Sequence, residues 1–376
     1  MSGIRWGNTG EEQMNKELLA RLLESAQAEG LDAIALVPGP NLLYLTGCGF
    51  HLSERPTVAL FSVDQPPVMV LPALEVGKVP FMETFSYTDE EGYAMAFHEA
   101  CVALELAEAR IGVESLRMRL LEARILQRYA SGAQLVPADD LLGRLRMAKS
   151  PAELAAMRRA IAVAETAFLG WLAELRIGMT EREAAARLVA RLLTGGADAV
   201  SFDPIVVSGP NGALPHAVPG SRQLCFGDWL VVDWGAFVEG YASDLTRTVT
   251  MGPPTGPLCA IHDLVLRANE AGRAAANPGV TAEAVDAAAR AVITAAGYGA
   301  NFTHRTGHGL GMEVHEPPYI VGGNSIPLLP GMTFTVEPGV YLEGVGGVRI
   351  EDDVLITEYG AETLSTLPRA PFVVSA

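Results

Sequence analysis

The chain has 376 residues, 49% of them hydrophobic and 19% charged, which supplies apolar material for two domains rather than one ordinary core. A net charge of −17 argues against nucleic acid or an anionic membrane as partner, since both need clustered Lys and Arg. Cys48, Cys101, Cys225 and Cys259 stand singly, "MSGIRWGNTGEEQ" lacks the apolar centre of a signal peptide, and no apolar run nears the ~20 residues of a membrane span; a reducing, cytoplasmic setting is expected.

The first predicted helix covers roughly 11–29. Short apolar runs follow at 32–37, 57–63, 67–72 and 110–114, separated by helical patterns, and this alternation predicts an α/β domain with a largely parallel sheet. At "RMAKSPAELAAMRRA", Ser150, Pro151 and Glu153 make a capping box with proline at the first helical position, so a new helix starts there. The expected domains are 1–146 and 147–376.

The second domain carries an internal echo. "IGMTEREAAARLVARLLTGGA" (177–197) aligns with "PGVTAEAVDAAARAVITAAGYG" (278–299) at an offset of 101, and both copies lie between a long helical stretch and strands. Two helix-helix-sheet halves of similar design are expected.

After the first copy comes "VVDWGAFVEGYASDLTRT" (231–248), which reads as a hairpin with Gly235 and Gly240 bracketing the turn. A turn centred between Val238 and Glu239 sets Asp233 directly opposite Asp244, with Cβ atoms roughly 5 Å apart. After the second copy, "TFTVEPGVYLEGVGGVRIEDDVLI" places Glu337 and Glu351 on either side of a glycine-rich turn. If the halves face each other, four carboxylates converge, and such a cluster either takes up protons or binds cations. Up to eight oxygens exceed the needs of one four-coordinate zinc and suit two divalent ions.

A nitrogen ligand is available in "HRTGHGLGMEVHEPP" (304–318), which contains no HExxH zinc-protease signature. Its glycines at 307, 309 and 311 disfavour helix and predict close backbone approach. A phosphate-binding loop is the rival reading of those glycines, but no lysine follows and the charge is wrong. "DWG" alone does not make a kinase without a glycine-rich loop and a catalytic loop.

In this order and at these separations, "VVDWGAFVEGYASDLTRT", "HRTGHGLGMEVHE", "VEPGVY" and "GVRIEDDVLI" resemble the pita-bread metallopeptidases of the aminopeptidase P and prolidase (Xaa-Pro dipeptidase) branch. The resemblance extends to "NLLYLTG" (41–47) and the "MAKSPAEL" junction. It implies an amino-terminal creatinase/prolidase-like α/β domain followed by a pita-bread α+β catalytic domain with a pseudo-twofold duplication. It also implies that Asp233, Asp244, His308, Glu337 and Glu351 bind two divalent ions, manganese first and cobalt or zinc as alternatives, with Asp244 and Glu351 bridging. In the family's usual mechanism a bridging hydroxide is the nucleophile and Glu337 handles the proton. His216 matches the substrate-side histidine, His315 the one that steadies the carbonyl oxygen, and His304 and Arg349 positions lining the site. The implied partners are a proline-containing peptide and a second copy of the chain in a homodimer. Archaeal-type prolidases often place arginine four residues beyond the histidine that matches His315. Tyr319 stands there, which favours an Xaa-Pro aminopeptidase, with an Xaa-Pro dipeptidase as alternative and a non-catalytic scaffold as a distant one.

Overall fold

The computed structural model describes residues 14–375, which divide into two compact units between Arg146 and Met147. The expected first helix begins partly outside the described residues. Helices of the first unit are α1 (Lys16–Ala28), α2 (Pro40–Thr46), α3 (Ala94–Ala103), α4 (Leu120–Tyr129) and α5 (Asp139–Met147). Its strands are β1 (Ala33–Leu36), β2 (Val58–Ser62), β3 (Val68–Pro72), β4 (Glu83–Tyr87), β5 (Arg110–Val113) and β6 (Gln134–Pro137), ordered β4-β3-β2-β1-β5-β6.

Three of the five strand pairings in this sheet are parallel; β2 alone runs against both neighbours. β1, β2 and β3 are buried on both faces, the condition that favours continuous Val/Ile/Leu runs over strict alternation. One face packs on Phe97, Leu104 and Leu126, the other on Leu22, Leu42 and Leu142.

The second unit opens with α6 (Pro151–Leu172), whose capping box is formed in both directions between Ser150 and Glu153. Then come α7 (Glu181–Thr194), β7 (Ala199–Val200), β8 (Ile205–Ser208), β9 (Trp229–Trp234), β10 (Ala236–Val238), β11 (Tyr241–Ala242) and β12 (Leu245–Met251). The second half repeats the plan with α8 (Leu258–Ala275), α9 (Ala282–Ala295), β13 (Gly307–Gly309), β14 (Glu316–Ile320), β15 (Thr333–Val336), β16 (Gly339–Leu342), β17 (Gly346–Arg349), β18 (Asp352–Thr357) and β19 (Gly360–Thr363); β20 (Phe372–Val374) closes the chain by pairing with β12. α7 and α9 are both 14 residues long, start 101 positions apart, and follow Gly178 and Gly279 at φ 87° and 84°. Each half then lays three consecutive antiparallel strands, β8-β9-β12 and β13-β15-β18. The echo in sequence is thus a repeat in structure.

The first hairpin departs from its expected register. Glu239 and Gly240 are its two turn residues, with φ 50° and 82°, as a two-residue type I′ turn requires. Gly240 therefore sits in the turn rather than beyond it, and every pairing moves. Asp233 pairs with Thr246, and Asp244 lies two residues short of that position, on the same face. Gly235 lies outside the turn; a Cβ there would stand 1.9 Å from the Ser243 carbonyl oxygen.

Candidate metal centre

The carboxylates meet because one row of residues runs across both halves. Ile205 on β8 pairs with Asp233 on β9, Asp233 pairs with Thr246 on β12, and an isolated bridge joins Thr246 to Glu351 just before β18. The pairs Val336–Asp352 and Gly339–Arg349 share one register, which sets Glu337 opposite Glu351. Residues level with one another in a sheet project to the same side. Three acids thus stand in one row and Asp244 lies one step behind it.

β13 delivers His308 to the same place. A Cβ on Gly307 would stand 1.8 Å from the Thr335 carbonyl oxygen, and one on Gly309 would stand 2.2 Å from that of Pro317. The glycines of this segment therefore admit the neighbouring strands, not a ligand. His308 Nδ1 lies 3.2 Å from its acceptor, the Gly309 carbonyl, which leaves Nε2 as the lone-pair nitrogen facing Asp244 and Glu337 at 3.6 and 3.4 Å.

All nine residues singled out from the sequence line one cavity of about 710 Å³: Asp233, Asp244, His308, Glu337, Glu351, His216, His304, His315 and Arg349. Ligand atoms of Asp244, His308 and Glu351 lie within 4.8 Å of one another. Asp233 and Glu337 remain 13% and 14% exposed, so they are the acids that open onto the cavity. His216 and His315 stand exposed at its mouth, His315 edge-on to His308 with ring centres 4.2 Å apart.

The electrostatics are those of crowded negative charge. Burial, then Glu351 and Asp233, hold the Asp244 carboxyl well above the carboxylate range, and burial with Glu337 does the same for Glu351. Burial also pushes Glu337 up to about 7, although Arg349 opposes the rise. Burial lowers His308 well below its usual value, which keeps the ring neutral.

These residues fit divalent cations. Asp233 Oδ2 accepts from Arg349 at 2.5 Å, but Oδ1 is buried with no hydrogen-bond partner. The 3.4–3.6 Å gaps from His308 are too long for hydrogen bonds, yet two ligands each about 2.1 Å from a common ion at tetrahedral angles stand about 3.4 Å apart. Oxygens with one imidazole form a donor set for manganese, cobalt or zinc.

Several supporting residues were not anticipated. Thr246 donates to Glu351 Oε2 at 2.7 Å and accepts from Arg349 Nε at 3.0 Å. Tyr341, buried on β16, accepts from Arg349 at 2.8 Å and lies 2.8 Å from His304 Nε2. Asp353 Oδ2 accepts from the Asp244 backbone N–H at 3.3 Å. The correct hairpin register would have revealed Thr246; nothing local in the sequence marks Tyr341.

The model of metallopeptidase family M24 matches residues 155–358, and that of the creatinase/prolidase N-terminal domain matches 19–148. The chain belongs to metallopeptidase family M24. This M24 chain is a metallo-exopeptidase with two domains, an amino-terminal creatinase-like one and a pita-bread one. It is 33% identical to the Xaa-Pro dipeptidase of Pyrococcus horikoshii, over 94% of this chain and 98% of that one. The crystal structure of dipeptidase PepE from Mycobacterium ulcerans superposes with a TM-score of 0.89 at 38% identity, covering 96% of this chain and 98% of that chain. The X-Pro aminopeptidase from Thermotoga maritima superposes with a TM-score of 0.80 at 34% identity, covering 93% and 100%. Among the described residues, no helix is long and apolar enough to cross a membrane.

Proposed function

We propose that this M24 chain hydrolyses the peptide bond preceding proline with two divalent ions held by Asp233, Asp244, His308, Glu337 and Glu351. The observation that carries the reading is the shared row of Asp233, Glu351 and Glu337 beside a neutral His308, a concentration of charge that is stable only around cations. Manganese is the first choice of ion. When bound, the ions supply Lewis acidity and bring the pKa of a water toward neutrality.

The chain's own groups account for the rest of the reaction. Glu337, one of the two acids that open onto the cavity, is placed to take a proton at Oε and return it to the departing proline nitrogen. His315 faces the scissile carbonyl oxygen as negative charge develops there, and His216 contacts the substrate from the opposite loop. His304 and Arg349 line the wall, tied together through Tyr341. Phe202, Ile205 and Val314 give an apolar surface suited to a proline ring, whose amide lacks the N–H that general peptidases grip.

Two substrate lengths are open. Tyr319 at the position of the prolidase arginine favours an aminopeptidase, while the names of the Pyrococcus and Mycobacterium relatives favour a dipeptidase. Metal analysis after manganese loading, followed by matched assays on Ala-Pro and Ala-Pro-Ala, tests the proposal. Two ions per chain and cleavage before proline are expected. Stoichiometric metal without cleavage of any proline peptide overturns the peptidase reading, and a chain that binds peptide but no metal is a scaffold.

A further inference from the structure

We propose that Arg305, held against the ring of Tyr319, binds the carboxylate of a two-residue substrate and makes this enzyme a dipeptidase. The inference rests on the Xaa-Pro peptidase reading and deepens it. Two guanidinium groups line the cavity, those of Arg349 and Arg305. Arg349 is fully engaged, bonding to Asp233, Tyr341, Thr246 and the Pro215 carbonyl.

Arg305 differs in every respect that matters. It is half-buried, and among the described residues its guanidinium has no ion pair or hydrogen bond; its one neighbour of note is Tyr319, with the ring centre 4.6 Å from Cζ. A guanidinium held over an aromatic face keeps its N–H edge for a planar partner, and a carboxylate matches that edge bidentately. The arm also stands on a fixed base. Thr306 next to it bonds Asp286 through both its backbone N–H, at 3.2 Å, and its hydroxyl, at 2.7 Å, and its N–H also reaches the Ile320 carbonyl at 3.0 Å.

Its charge is felt inside the site, where it opposes the rise of Glu337 and helps lower His308 and His315. A cation therefore occupies the neighbourhood of position 319 after all, arriving from residue 305 instead of being carried by 319 itself. In Xaa-Pro the α-carboxylate directly follows the ring, and Arg305 is the free cation on that wall. A third residue replaces this anion with a neutral amide, which offers Arg305 no charge.

The test uses the full-length, manganese-loaded protein with Ala-Pro, Ala-Pro-amide and Ala-Pro-Ala. A charge-assisted bidentate contact predicts kcat/KM for Ala-Pro about 10- to 100-fold above the other two. Arg305→Met is expected to bring the dipeptide down to the level of its amide, mainly through KM, and Arg305→Lys to restore part of the difference. Wild-type protein that treats acid and amide alike, or Arg305→Met that keeps the full preference, overturns the assignment. Calorimetric binding of Ala-Pro and its amide to metal-free protein separates this failure from that of the peptidase reading. Acid-selective binding lost in Arg305→Met upholds Arg305 even without hydrolysis, and binding blind to the carboxylate sinks it.

Discussion

Stripping the divalent ions from this protein should make its stability fall as pH rises above neutrality. Without metal, the folded state resists ionising Asp244 and Glu351, which burial and mutual repulsion hold well above the usual carboxylate range. In the unfolded chain the same groups are ionised above about pH 5. Above pH ~7 the folded state therefore binds more protons than the unfolded state, so unfolding becomes easier as pH increases. Each retained proton lowers stability by about 1.4 kcal/mol per pH unit for as long as the folded state holds it. The window starts at 7 because the buried histidines act in the opposite sense below it: His304, held at about 3 by burial and then Arg349, stabilises the fold as pH rises through the unfolded histidine range.

Urea unfolding in chelator, followed by tryptophan fluorescence, measures this. Trp171, Trp229 and Trp234 are all buried in the unit that holds the cavity. Manganese should remove the slope, since cations keep the carboxylates ionised in the folded state. Metal-free stability that stays level or climbs across the window refutes the charge-crowding account of the centre.

Glu351→Gln should lower kcat by at least about 10²-fold and abolish stoichiometric metal, yet raise metal-free stability by about 1–3 kcal/mol because a neutral amide need not hold a proton above its unfolded pKa; metal analysis and urea melts report the two effects. Thr246→Val removes the hydroxyl between Glu351 and Arg349 while preserving shape, and should weaken manganese binding about 10- to 100-fold by calorimetry. Tyr341→Phe leaves Arg349 and His304 each short of one partner, which should cost about 1–3 kcal/mol in unfolding free energy and lower kcat/KM on proline peptides.

Much of the architecture was legible from local pattern. Ser150-Pro151-Glu153 announced α6 because a capping box is satisfied within one turn, and the copies at 177–197 and 278–299 announced the repeat because helix caps and apolar faces recur with the fold. Eight of the nine candidate residues were legible from four short motifs, His216 stands outside those motifs, and one cavity gathers all nine. The antiparallel β2 escaped notice because strand direction is set by the partner it pairs with, not by its own apolar run. The hairpin register escaped because a turn displaced by one residue shifts every pairing beyond it.

By itself, then, the sequence determined which residues could carry the chemistry and in what order the elements form, because those signals act over a few neighbouring positions. Only the tertiary structure decided that Asp233, Thr246, Glu351 and Glu337 share one row, that Tyr341 joins Arg349 to His304, and that Arg305 reaches the ring of Tyr319. Those relations join residues from 8 to more than 100 positions apart, and their combined geometry exists only once sheets from both halves have paired.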